Sequence, residues 1–317
     1  MADKKITIID HGGQLGNQLW NYASVYAFCL EKGYACENPA FFHYAKFFPH
    51  LKCGLIPKYI LGSLFGFFPK NRFTLNRMYR RYLELKYGKK KLAQAIRASD
   101  SEGNMELFLL PPTENNDARQ QQDLVRVEQT GPELLFSGYA FRNPVGMAKY
   151  HSQLVKIFQP RANITRAVDA LITEARSTAA KLVGVHIRQN DYRTFEGGKY
   201  YFSPDQVARM LNDYIAKTGQ ANTCFIIASD EKIDPSVFAG LNIRFTSGQI
   251  MEDLFALSRT DLLIGTNSTF GAFAAFYGNI PMVIFTDQVI DWNHYLNLNY
   301  FFFDPQSLAQ LTSLVKL

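Results

Sequence analysis

The second half of the chain alternates short apolar runs with amphipathic stretches, and that alternation restricts the fold more than any other feature. Leu182–Ile187 (L-V-G-V-H-I) reads as a buried strand, as do Thr223–Ala228, Leu262–Gly265 and Met282–Phe285. Helical patterns lie between them. Ser203-Pro204-Asp205-Gln206 opens one with a hydroxyl N-cap, a proline in the first turn and a glutamine that closes a capping box. Val207, Met210, Leu211 and Tyr214 then follow at helical spacing. Glu252–Ser258 and Ser268–Tyr277 read as two more helices, the second closed by Gly278. Strand and helix in turn, with short connections, predict a parallel, doubly wound sheet.

The first half begins in the same way. Ile6–Ile9 is a β-branched run, His11 to Gly16 is a glycine-rich loop, and Asn17 to Lys32 has helical periodicity that stops at Gly33. Tyr34–Cys36 fits a second strand, Leu134–Phe141 another, and Val145–Phe158 one helix ahead of Pro160. With domains of about 150 residues, the 317 residues accommodate two such units. The expected architecture is two α/β lobes. Residues 1–165 form the first, with an insertion at about 40–130, and residues 166–303 the second. Asp304-Pro305 then starts a C-terminal helix over 304–317.

Charge is uneven along the chain. Lys plus Arg number 34 and Asp plus Glu 28, a net charge of +6. From Lys70 to Arg97 there are ten Lys/Arg and one acid, Glu84, a local excess larger than the total. The rest of the chain is slightly acidic, so nucleic acid is not an expected partner. The basic run follows an aromatic-rich apolar segment. Residues 55–97 therefore read either as a core helix followed by a solvated basic one, or as a surface for an anionic bilayer. The four cysteines form no C-x-x-C pair and have no histidines at metal-ligand spacing, which suits reduced thiols. The first ten residues lack the apolar core of about 7–15 residues that a secretory signal needs. The reading is a cytoplasmic protein, with peripheral contact at the inner membrane face if 55–97 is a bilayer surface.

In open α/β sheets, ligands bind beyond the carboxyl ends of the strands, and four such ends here carry unusual polar residues. In the first loop, Gly13 and Gly16 allow backbone N–H groups to approach an anion at a helix N-terminus. A dinucleotide fingerprint would need glycine where His11 stands, while Glu37 lies where a ribose-binding acid would be. A nicotinamide-dependent reductase is thus one reading of this end, and a tight structural turn another. In His186-Ile187-Arg188, alternation puts His186 and Arg188 on one face, and Arg can grip a phosphate bidentately. His186 equally suits a structural hydrogen bond. Asp230, after the next strand, suits a ribose, a base or a helix cap. Gly265-Thr266-Asn267-Ser268-Thr269 gathers hydroxyls and an amide at a helix N-terminus, one of them serving as N-cap. Together these read as a diphosphate pocket. There is no D-x-D and no carboxylate cluster suited to Mg²⁺, so no metal is expected.

Four strings in order resemble a known family. G-G-Q-L-G-N-Q-L-W-N-Y-A (12–23) resembles the G-G-L-G-N-Q-[ML]-F-Q-Y-A start of bacterial α-1,2-fucosyltransferases, glycosyltransferase family 11. S-G-Y-A-F-R-N (137–143) resembles its G-Y-x-Q-S segment, and G-V-H-I-R-Q-N-D-Y (184–192) its H-I-R-R-G-D-Y. Residues 251–270 (M-E-D-L-F-A-L-S-R-T-D-L-L-I-G-T-N-S-T-F) resemble its D-L-x-L-M-S-x-C-x-x-x-I-I-A-N-S-T-F. The chain departs from the family at Gln189, which replaces the second Arg, at Asn190, at Gly271-Ala272-Phe273 and at the additional Gln14.

The resemblance implies an α/β fold of GT-B type, two Rossmann-like lobes facing across a cleft, with GDP-fucose as donor substrate and a glycan as acceptor. It implies an inverting, metal-independent transfer, of α-1,2 linkage by family. Arg188 would take the diphosphate, His186 would line the nucleotide, and Asp253 would meet the guanine edge. Ser268 and Thr269, with Asn267, would hold phosphate, and Asn17 would reach the sugar-phosphate side. The general base would be Glu196, ten residues after His186 as in related α-1,6-fucosyltransferases, or Asp191. A lipid-linked acceptor would suit the basic segment. A nicotinamide reductase and a non-catalytic nucleotide-sugar or glycan-binding protein remain the competing classes.

Overall fold

A computed structural model describes residues 4–10, 13–51, 72–93, 96–97, 133–137, 143–287 and 289–293. They fall into two compact units, the first ending at Pro160 and the second starting at Arg161. The apolar run at 55–68, most of the 40–130 insertion and the helix expected over 304–317 lie outside the described residues.

In the first unit, β1 (Lys5–Ile8) leads into α1 (Leu15–Lys32), β2 (Ala35–Glu37) and a short α2 (Phe42–Ala45). Next come α3 (Arg72–Ala93), β3 (Ile96–Arg97), β4 (Glu133–Ser137), α4 (Pro144–Lys149) and α5 (His151–Ile157). The four strands pair in parallel in the order β2-β1-β4-β3. Helix α1 buries Leu19, Trp20, Tyr22, Ala23, Ala27 and Phe28, and it ends at Gly33 in the left-handed conformation (φ 68°), as its sequence predicts.

Where one helix is expected over 145–158, two are found, separated at Tyr150 (φ −107°, ψ 18°). The hydrogen-bond ladder runs across the break. Tyr150 N–H donates to the Gly146 carbonyl at 3.0 Å, and Leu154 N–H to the Tyr150 carbonyl at 3.0 Å. The break is a local bend, which hydrophobic spacing cannot reveal.

The basic run forms helix α3, with Gly88 (φ 76°, ψ 151°) interrupting its last turns. Tyr79 and Leu83 pack on Ala40 and Phe42, and the Tyr79 hydroxyl donates to the Ile9 carbonyl at 3.1 Å. Arg77, Met78, Arg80, Arg81 and Leu85 are exposed. Among the described residues no helix is long and apolar enough to cross a membrane.

The second unit starts with α6 (Ala162–Thr178) and β5 (Lys181–Ile187), followed by α7 (Pro204–Thr218) and β6 (Thr223–Ser229). It continues through β7 (Ile243–Phe245), α8 (Ile250–Leu257), β8 (Leu262–Gly265), α9 (Thr269–Gly278) and β9 (Met282–Ile284). The five strands are parallel in the order β7-β6-β5-β8-β9. Central strand β5 is buried on both faces, which explains its unbroken apolar sequence. Val183, Val185, Leu211, Tyr214, Phe225 and Ile227 form the centre of one core.

The capping box at α7 is as expected. Ser203 Oγ accepts from Gln206 N–H at 3.3 Å, and Gln206 Oε1 from Ser203 N–H at 2.8 Å. Gly278 has a different role from the one expected. It is the last helical residue, and the cap is Asn279 in the left-handed region (φ 53°). A Cβ at 278 would stand 2.0 Å from the Ser258 carbonyl oxygen, so glycine there admits a close backbone crossing.

Candidate active site

The C-terminal end of β5 is adjacent to β6 on one side and β8 on the other, and most of the candidate residues of the second unit gather there. His186 pairs in register with Ala228 and with Gly265. Its ring lies 5.1 Å from that of Phe270 in the first turn of α9. A Cβ at Gly271 would stand 3.2 Å from His186 Nδ1, so the helix start approaches the imidazole only because residue 271 is glycine. His186 is 6% exposed, and its Nδ1 is buried without a hydrogen-bond partner. Burial, with the Arg188 charge as a second cause, lowers its pKa to about 3 and keeps it neutral.

Arg188 emerges two residues later. Its Nε and Nη2 donate to Asp191 Oδ1 and Oδ2 at 2.8 and 3.0 Å, a bidentate pair, and its guanidinium stands 5.1 Å from the centre of the Tyr192 ring. That pairing holds the Asp191 carboxyl below its ordinary pKa. Thr266, at the exit of β8, ties the two strands together. Its hydroxyl accepts from Arg188 N–H at 3.1 Å and donates to the His186 carbonyl at 3.1 Å.

The α9 N-terminus is built from the T-N-S-T string. Ser268 Oγ is the cap and accepts from Phe270 and Gly271 N–H at 3.2 and 3.5 Å. The Asn267 carbonyl accepts from the Tyr192 hydroxyl at 2.9 Å, and Thr269 is the first helical residue. Positive helix-end potential thus lies beside the guanidinium and the neutral imidazole.

The segment 190–202 returns from β5 to α7 as two short 3₁₀ turns. It is fastened at both ends. Gln189 N–H donates to Asp230 Oδ1 at 2.7 Å, and its Nε2 donates to the Phe202 carbonyl at 2.8 Å. Arg193 bridges to Glu231 at 2.6 Å and to the Tyr201 hydroxyl at 2.9 Å. Asp230 therefore holds the loop. Glu196 lies in the left-handed region (φ 47°), followed by Gly197 and Gly198 with positive φ, and its carboxylate pairs with Lys199 at 3.1 Å.

Asp253, in the first turn of α8, is 7% exposed and accepts from Gly248 N–H at 3.1 Å. Burial raises its pKa to about 6. In the first unit, Gly13 has φ 68°, and a Cβ there would stand 2.5 Å from Asn17 Nδ2. Gln18 Nε2 donates to the Gly13 carbonyl at 3.1 Å, while Gly16 is buried in the first turn of α1.

Sequence reasoning missed the fastening roles of Gln189, Thr266 and Tyr192. Gln189 reads only as a departure from a family pattern, and the partners of all three come from distant segments. The crowding of five aromatics into 192–202 (Tyr192, Phe195, Tyr200, Tyr201 and Phe202) was a usable signal. Among the described residues no three of His, Cys, Asp or Glu gather as metal ligands would.

Two α/β units, each with a parallel sheet and one with this strand-end cluster, have the mixed α/β fold of GT-B-type fucosyltransferases. No family model matches the chain, and no curated protein matches it. Among solved structures it is similar to a mutant of Arabidopsis thaliana FUT1 in complex with GDP (13% identity, 88% of this chain and 70% of that one, TM-score 0.51). It is similar also to NodZ α-1,6-fucosyltransferase soaked with GDP-fucose (12%, 89% and 95%, 0.51). A third is POFUT1 in complex with GDP-fucose (13%, 90% and 98%, 0.50).

Proposed function

We propose that the protein transfers fucose from GDP-fucose to a hydroxyl of a glycan acceptor. One observation carries this reading: the Asp191-braced Arg188, the buried imidazole of His186 with its unpartnered Nδ1, and the N-terminus of α9 converge at the exit of β5. A guanidinium and a helix N-terminus are suited to the charge that develops on a departing diphosphate. The fold shared with proteins captured with GDP and GDP-fucose supports GDP-fucose as the donor. The family motifs support an α-1,2 linkage and roles for Gly13, Gly16 and Asn17 on the donor, for Asn267, Ser268 and Thr269 on phosphate, and for Asp253 at the guanine edge.

The chemistry is a single inverting displacement. The acceptor oxygen bonds to the anomeric carbon as the bond to phosphate breaks, and the hydroxyl proton passes to a carboxylate. Asp191 is a weak base, because its bidentate pairing with Arg188 lowers its pKa. Glu196 is the better candidate. Its carboxylate pairs with the exposed ammonium of Lys199, and its strained backbone is of the kind kept at functional sites. Arg188 supplies the positive charge locally, so the transfer is read as metal-independent.

Glu196→Gln is expected to lower turnover by about a hundredfold or more while leaving the affinity for GDP, measured by calorimetry, unchanged. Wild-type turnover in that variant removes Glu196 as the base. A thermal shift with GDP and none with NADPH separates this reading from a reductase. Product formation on a glycan panel, lost in Arg188→Ala, separates it from a non-catalytic binder. The exposed basic and apolar side chains of α3 support peripheral contact with an anionic inner membrane face, where a lipid-linked acceptor would be met.

A further inference from the structure

Phe195 is 38% exposed, whereas Tyr192 and Phe202 of the same loop are buried and Tyr200 and Tyr201 half-buried. Three observations show that this exposure is built. The ring is stacked on Tyr192, with centroids 5.7 Å apart and planes 20° apart, and on Tyr200 at 6.2 Å and 27°. Tyr192 is itself immobilised, its hydroxyl on the Asn267 carbonyl and its face under the Arg188 guanidinium. The turn that presents the ring is made of Glu196, Gly197 and Gly198, all with positive φ, a conformation that is strained for a glutamate.

We propose that Phe195 is the floor of an acceptor subsite that stacks against the apolar C–H face of a pyranose ring. This rests on the glycosyl-transfer reading above and names where the acceptor sits. A pyranose has one face of slightly positive C–H groups, and a phenyl ring offers a negative face of matching size. The rim is also right for a sugar: the carboxylate of Glu196 and the ammonium of Lys199, which lies 4.7 Å from the Tyr200 ring centre, offer an acceptor and a donor to hydroxyls. Glu196 is linked to this platform through Lys199, which pairs with its carboxylate and lies on the Tyr200 ring, so a sugar on this floor would have hydroxyls near the candidate base. The purine of the donor is the less suitable occupant. The loop is tied to the β6 exit through Arg193–Glu231, whereas the Phe195 stack is tied through Tyr192 to the β8 exit. Asp253, the residue expected at the guanine edge, accepts from Gly248 N–H just past β7, and Thr246 in the same connection donates its N–H to the Ile227 carbonyl of β6, which places Asp253 on the β6 side of the sheet.

GDP binding to the wild type is measured first by calorimetry. The GDP-saturated protein is then examined by saturation-transfer NMR with methyl pyranosides of gluco, galacto, manno and N-acetylglucosamine configuration. At least one is expected to show transfer concentrated on the C–H protons of one ring face. Phe195→Ala should weaken that binding by about tenfold, Phe195→Trp should restore it, and GDP affinity should stay within about twofold in both. Absence of face-selective transfer from every pyranoside, or equal transfer in the alanine variant, overturns the proposal. So does a parallel loss of GDP affinity in Phe195→Ala, which would assign the ring to the nucleotide. Failure of the wild type to bind GDP would instead overturn the donor reading.

Discussion

Burial and the charge of Arg188 keep His186 neutral down to about pH 3, whereas in an unfolded chain it takes up a proton near pH 6.5. Its contribution to stability is therefore full above pH 6.5 and is lost progressively as the pH falls below that value. The urea midpoint of the wild type should decline below pH 6.5, and that of His186→Asn, which cannot protonate, should decline less steeply. Equal slopes would refute this. Asp253 acts in the opposite direction. Its raised pKa, about 6, favours the folded state at pH values below its ordinary one, and that contribution disappears as the pH rises through 6. Asp253→Asn should gain stability relative to the wild type between pH 4 and pH 8, read by thermal melting at each pH. At this scale the sequence is informative about residues that declare their chemistry, such as His186, Arg188 and Ser268. It marks Thr266 only as one of several hydroxyls and does not show that this hydroxyl meets Arg188 from 78 positions away, a contact made because β5 and β8 are neighbours in the sheet.

The elements were legible where their ends are chemically marked. The Ser203–Gln206 box and Gly33 state a start and a stop in residue type alone. Gly278 was misread because a glycine after a helical pattern resembles a cap, while its actual reason, the Ser258 carbonyl passing against α9, belongs to another element. Gly278→Ala should be strongly destabilising, more so than Ser268→Ala, which removes a cap of about 1 kcal/mol. Both are measurable by chemical denaturation of the whole chain. Similar losses in the two variants would show that the backbones can separate cheaply. The bend at Tyr150 had no marker, since neither proline nor glycine stands there and the hydrogen-bond ladder is kept.

For the molecule as a whole, the β/α alternation was enough for the fold class, because short right-handed connections between parallel strands leave few arrangements. The basic excess was legible as charge but not as a surface. Only the structure shows that Tyr79 and Leu83 anchor α3 inward while Met78 (48% exposed) and Leu85 (81%) lie among outward arginines. Each such cation adds about 1 kcal/mol near an anionic leaflet. Co-sedimentation with vesicles containing phosphatidylglycerol should therefore be strong at low salt and weaken as salt rises. It should fall sharply in a Met78→Ser, Leu85→Ser, Arg77→Ser, Arg81→Ser variant. No sedimentation at low salt would end the idea.

The fastening of residues 190–202 has a kinetic consequence. Thirteen residues with little regular structure would ordinarily open in a small fraction of a second and exchange their amide protons freely. Here Gln189, Tyr192 and Arg193 tie the segment to the exits of two strands, β6 and β8. Its amides should keep pace with those of β5 in deuterium uptake, and donor binding should proceed in one step, with no slow phase for a gate to close.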